Sequence, residues 1–164
     1  MKNIILALLV SLAFLGCSSK TVEDKNVHPK LVAGQSFEVF TLNDQFEKAH
    51  TLKADTTKVI FAFAKDSAHV CNDYFKTQSP SFLSDHHTAF VADVSAAPSL
   101  IRSMFIMPGL KDLKHTVLLL EDKTVAAPYK QGLDINKIAL VYIVNQKIEK
   151  IEFITTADEL KKLI

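Results

Sequence analysis

KVIFAFAKDSAHVC, Lys58 to Cys71, decides the reading of this chain. Extended, it puts Val59, Phe61 and Phe63 on one face and Ile60, Ala62 and Ala64 on the other. Both faces are apolar, so the pattern predicts a strand covered on both sides, as in a parallel or mixed sheet packed between helices. The run stops at Lys65-Asp66-Ser67, where Asp66 or Ser67 can cap a helix start. Cys71 then falls in the first turns of that helix. A cysteine just past the C-terminal end of a central strand meets free N–H groups and the positive end of the helix dipole, which favour thiolate over thiol. Cys71 is therefore the candidate catalytic residue.

Working outward, residues 31–52 predict a β-hairpin: Phe37, Val39 and Thr41 on one face, a turn at Asn43-Asp44-Gln45, and a return through Ala49 to Leu52. After Cys71, an interrupted helical stretch is expected to break at Ser79-Pro80. Thr88–Val94 is a second short strand. Ser95–Gly109 predicts a second helix, with Leu100, Ile101, Met104, Phe105 and Met107 as its core stripe and Pro108-Gly109 as its stop. Arg102, the only arginine, is placed on that helix's exposed side, paired with a carboxylate.

His115–Glu121 holds a third strand, residues 122–137 read as irregular around Pro128 and Gly132, and Ile138–Val144 is a fourth, doubly apolar strand. Lys147–Ile154 reads as an edge strand with Ile151 and Phe153 inward and Lys150 and Glu152 outward. Thr156-Ala157-Asp158-Glu159 is a capping box opening a last helix. Hairpin, then alternating β and α, then a closing β-hairpin and helix predicts a three-layer α/β sandwich over residues 31–164.

The chain has 164 residues and a formal charge of +1, which suits one domain with a proper core and implies no nucleic-acid partner. The N-terminus reads as a targeting segment: Met1-Lys2-Asn3, then an apolar run from Ile4 to Leu15 that is too short to span a bilayer. Its end, Gly16-Cys17-Ser18, resembles the bacterial lipoprotein signal, in which the cysteine is acylated and becomes the first mature residue. Phe14 and Leu15 depart from that signal's usual Leu and small residue. A plain signal peptide, or an uncleaved anchor, is the alternative. On the lipoprotein reading residues 1–17 are signal and lipobox, and residues 18–30 are a flexible polar tether. The membrane is then a partner through acylated Cys17, and the domain faces the periplasm. Ser18 after the cysteine implies, by the same resemblance, outer-membrane sorting. Only Cys71 then remains as a thiol, and no internal disulfide framework exists.

The element order and two segments resemble the thioredoxin-like superfamily, most of all its peroxiredoxin and thiol-reductase branch. Ala33-Gly34-Gln35 through Phe40-Thr41-Leu42-Asn43-Asp44-Gln45 resembles that branch's opening hairpin, with the turn glycine replaced near Glu47. Ile60 to Cys71 resembles, without gaps, its strand-and-cysteine segment, and Cys71 falls on the peroxidatic position. The resemblance implies thiol chemistry there, assisted by a threonine, an arginine and a proline. Those positions hold Ala68, a residue near Ala139, and Ala64; Ser67 and Lys137 are the nearest stand-ins. Neither a Cys-x-x-Cys nor the thioredoxins' cis-proline is present.

Two of the donors that hold a thiolate and its transition state are thus missing. The expected function is a lipid-anchored envelope protein whose thioredoxin-like domain is redox-degenerate and acts in binding or in a structural role, toward a protein or thiol partner that the residues do not identify. The alternative is a one-cysteine thiol peroxidase or thiol oxidoreductase using Cys71, resolved by an external thiol. His69, two residues before Cys71, faces elsewhere on a helix. A metallochaperone is a further alternative resting on His86-His87, but adjacent histidines diverge and the second cysteine of the copper-binding relatives is missing. No cofactor and no metal is expected.

Overall fold

The computed structural model describes Asp24 and residues 26–164. The signal segment and Cys17 lie outside the described residues. A small hairpin comes first: β1 (Thr41–Asn43) pairs antiparallel with β2 (Ala49–Thr51). The main sheet has five strands, β3 (Lys58–Ala62), β4 (Thr88–Asp93), β5 (Leu118–Leu120), β6 (Ile138–Val144) and β7 (Lys147–Ile154), in the order β5-β4-β3-β6-β7. β3, β4 and β5 are parallel; β6 runs against β3, and β7 against β6.

The alternation read in Lys58–Ala64 sorts as expected. Val59, Phe61 and Phe63 enter one core, with Tyr129, Leu31 and Phe37. Ile60 and Ala62 enter the other, with Cys71, Phe75, Leu110 and Leu160. Helices α1 (Lys65–Lys76), α2 (Phe82–Asp85), α4 (Met107–Lys111) and α6 (Ala157–Leu163) contribute to this second core, and α5 (Lys123–Lys130) to the first. Phe61 is the hub of the first core, its ring 5.6 Å from both Phe63 and Tyr129 in stacked geometry.

Segment 33–45 guards both margins of the sheet. Gly34 N–H donates to Ile148 O, Ile148 N–H to Gln35 O, and Phe37 N–H to Gln146 O, which covers the start of β7. At the other margin Asp44 bridges to Leu118 of β5, and the Gln45 side chain accepts from Val117 N–H and donates to His115 O at 2.9 and 2.8 Å. In the hairpin turn the Asp44 carboxylate accepts from the N–H groups of Phe46 and Lys48 and contacts His50 Nε2 at 2.7 Å. Glu47, where the resemblance expects glycine, stands in the left-handed region with φ 64. Phe37 is buried but Val39 is exposed, so these two do not share a face: residues 37–40 are not regular strand.

Five further expectations are corrected. The helical segment after β4 is α3 (Ser99–Ile101), a π turn (Arg102–Ile106) and α4, and it runs through Pro108-Gly109 rather than stopping there. Proline lacks the N–H for an ordinary helical bond and crowds the preceding turn, and the widened π turn just before it takes up that strain. The stripe Leu100, Ile101, Met104, Phe105 faces outward, while Arg102 reaches inward. Residues 123–130, read as irregular because of Pro128, form α5; Asp122 caps it, accepting from Thr124 and Val125 N–H. Phe153 is exposed, because the β7 edge overhangs the first core there. The break after α1, the two-residue turn at Asn145-Gln146 with both φ positive, and the Thr156/Glu159 capping box follow the sequence reading.

Candidate functional site

The site to build is the C-terminal end of β3, where Phe63-Ala64 leads into α1. Ala64 is the N-cap of α1, with extended backbone and no side chain able to cap. Ser67, three residues on, supplies what the cap lacks: its Oγ donates to Ala64 O at 2.9 Å and accepts from Ala64 N–H at 3.3 Å. Asp66 lies in the first turn, favourable to the dipole. Cys71 is the seventh residue of α1, about 10 Å along the axis from the cap at 1.5 Å per residue. The orphan N–H groups and most of the dipole's influence are confined to the first turn.

Ser67, Cys71 and Phe75 share the inner face of α1, and the Cys71 side chain is wholly enclosed, with 0% exposure. It packs in the second core, and that burial pushes its thiol well above the ordinary range. Ser67 is thus one turn from the sulfur, with its hydroxyl committed to the Ala64 backbone. Lys137 sits just before β6 and pairs with Asp134 at 3.7 Å. Ala68 is half-buried and Ala139 fully buried, so the positions where the resemblance expects threonine and arginine hold methyl groups only. His69 is exposed. His86 stacks on Phe82 and His87 hydrogen-bonds Asp55, so the adjacent pair diverges; among the described residues no group of three or more His, Cys, Asp or Glu is placed to hold a metal.

No family model and no curated protein sequence matches this chain. Solved structures do match. A putative thiol:disulfide interchange protein DsbE from Chlorobium tepidum superposes with a TM-score of 0.52 at 18% identity, over 80% of this chain and 94% of that one. A putative protein disulfide isomerase from Bacteroides thetaiotaomicron gives 0.51 at 16% identity, over 84% and 88%. Peroxidoxin BcpB from Mycobacterium tuberculosis gives 0.50 at 17% identity, over 82% and 94%. The domain has the thioredoxin-like fold. At these identities the likeness is one of architecture, and it carries no activity with it.

The thioredoxin-like domain also holds polar groups at the strand ends that the sequence reading did not single out. Lys130 Nζ meets Asp93 Oδ2 at 2.7 Å, with side-chain exposures of 18% and 1%. The other Asp93 oxygen accepts from Ser95 N–H at 2.8 Å. Arg102 donates to Glu121 O at 2.8 Å and lies 3.7 Å from the Glu121 carboxylate, tying the end of β5 to the π turn. The expected carboxylate pairing of Arg102 is present, but on the inner side of its helix. Arg102, Lys130 and Lys137 each stand at this end of the sheet, and each is matched to a carboxylate.

At the opposite end His115 is buried between Phe75 and Phe90, with Nε2 3.1 Å from Asn72 Oδ1. Burial, then the nearby Lys76 charge, lowers its pKa to about 4. Asp93 and Lys130 lie 37 residues apart, His115 and Asn72 43, so local spacing signals neither contact.

Proposed function

We propose that this chain is a lipid-anchored cell-envelope protein whose thioredoxin-like domain works without thiol chemistry, in a binding or structural role. One observation carries the second half of that reading: Cys71 is sealed in the core, past the first turn of α1, with its thiol pushed up by burial. A peroxide or disulfide attacked there would need a route to an enclosed sulfur and a base to ionise it. Ser67 and Lys137, the two candidate helpers, are bonded elsewhere. The anchoring half rests on Gly16-Cys17-Ser18 after the short apolar run.

Each half has its own test. Full-length protein in detergent is treated with excess peroxide and a sulfenate trap, beside Cys71→Ser. The expected result is no trap signal from native protein. A thiol-reactive maleimide should label Cys71 at least about a hundredfold more slowly in native than in urea-unfolded protein, since labelling waits on opening of the core. A sulfenate signal that disappears in Cys71→Ser would establish the peroxidase reading instead. For the anchor, Cys17→Ser should move the protein from the detergent-rich to the aqueous phase on phase separation, because the acyl chains supply the membrane affinity. Unchanged partitioning would remove the lipoprotein reading.

A further inference from the structure

Leu100, Ile101, Met104 and Phe105 form one outward face on α3 and the π turn, with exposures of 65, 44, 58 and 68%. Four large apolar side chains at i, i+1, i+4 and i+5 are the spacing of a buried stripe, yet here they belong to neither core of the domain and stay largely open. The segment cannot roll to hide them. Arg102 bonds Glu121 O and the Glu121 carboxylate from its inner side, and Ile106, Met107 and Leu110 seat the following turns on the second core.

The course of the chain indicates what lies opposite this face. Asp24 is held to Gln131 by two hydrogen bonds of 2.9 and 3.0 Å, and the adjacent Lys130 reaches Asp93 at the C-terminal end of β4. From there the chain descends through Leu31 in the first core to Gly34 and Ser36 at the start of β7, the far end of the sheet. The described chain therefore begins at the end where β3, β4 and β5 terminate. Ser99 opens α3 at that same end, six residues after Asp93. Seven residue steps separate Cys17 from Asp24. Fully extended they span at most about 25 Å, less than the roughly 35–40 Å breadth of a domain this size. A lipid on Cys17 would hold this end of the domain toward the bilayer and keep the far end away from it.

We propose that the Leu100, Ile101, Met104 and Phe105 face docks into the headgroup–acyl boundary of the bilayer to which Cys17 is tethered. This rests on the acylation of Cys17 proposed above. An interfacial helix buries an apolar face of this kind to a shallow depth without crossing the membrane. Glu47 and the paired Arg102 and Glu121 border the groove beside Leu100, which leaves no excess of positive charge there, so the attraction is apolar rather than a matter of anionic lipid.

The chain has no tryptophan, so Phe105→Trp creates a single fluorescent reporter on this face, and Met104→Trp a second should the first disturb its surroundings. Val144→Trp is the comparison, half exposed at the far end of β6. Full-length lipidated proteins are reconstituted into phosphatidylcholine vesicles carrying acyl-brominated lipid, floated, and read by emission. The expected result is flotation of all three, with quenching of the two face reporters at least about twofold stronger than at position 144. Failure of the lipidated chain to float overturns the anchor and the docking together. Flotation with equal, weak quenching at all three positions overturns the docking alone. Blue-shifted but unquenched emission from the face reporters also overturns it, because the face is then covered by protein rather than by lipid.

Discussion

Lys130→Met is expected to destabilise the domain by about 3–5 kcal/mol, because it leaves the Asp93 carboxylate enclosed without its counter-charge. Asp93 has a side-chain exposure of 1% and the contact is 2.7 Å. Methionine matches the length of the lysine stem, so packing along α5 is largely retained and the loss is electrostatic. Asp93→Asn with Lys130→Met removes both charges and keeps an oxygen for the Ser95 N–H, which the wild-type carboxylate binds at 2.8 Å. That double variant should recover most of the loss, since a neutral isosteric pair is often as stable as a buried ion pair. Urea unfolding followed by circular dichroism measures both, and the single variant should lower Tm by roughly 10 °C. A single-variant loss under about 1 kcal/mol would mean that water reaches the pair and screens it.

The second large effect is acid sensitivity centred on His115. Its Nε2 faces Asn72 Oδ1 and its Nδ1 has no partner among the described residues, so folding holds the ring neutral. Burial and the Lys76 charge lower its folded pKa to about 4, against about 6.5 in the unfolded chain. Between those values the unfolded state binds the extra proton, so stability rises with pH across that window and falls as pH drops from about 6.5 to 4. The size is about 3 kcal/mol for a shift of this order. Asp44 works in a different window. Burial opposes its ionisation, but the Lys48 and Phe46 N–H groups and His50 outweigh that and lower its pKa. Its contribution is therefore lost only as pH falls below the ordinary carboxylate range. Denaturant titrations from pH 4 to 7 should show the slope in wild type and a much flatter line in His115→Phe, whose ring fits between Phe75 and Phe90. An equal slope in both proteins would assign the acid sensitivity to other groups.

The architecture was legible where the code is local. Val59–Ala64 declared a doubly covered strand because every residue on both faces was apolar, and Thr156–Glu159 declared a helix start because a capping box needs only four residues. The segment Ser99–Lys111 misled for an equally physical reason. Its apolar spacing is that of a core stripe, and nothing local says that Arg102 will find Glu121 at the end of β5 and turn the stripe outward. Pro128 suggested a breaker, but the Asp122 cap and the burial of Ala126 and Tyr129 hold α5 together around it. At the candidate site, the missing threonine, arginine and proline were readable from Ala68, Ala139 and Ala64. The depth of Cys71 was not: the helix is capped at Ala64, two or three residues before the expected Asp66 or Ser67 cap, which moves the sulfur from the helix mouth into the packed interior.

The stretch that crosses from β7 to β5 before the sheet proper begins gives the domain a property its five strands lack. Each outermost strand of an open sheet offers a row of unsatisfied amides to any neighbour, and here one continuous ribbon, Gly34 through Gln45, occupies such rows on both flanks. A fragment beginning at β3 would retain every strand of the sheet and the second apolar interior, yet would strip Leu31, Phe37 and Leu52 from the first and expose two sticky rims at once. Protection of these two margins is in this sense written upstream of the sheet, in residues that touch it only at its borders.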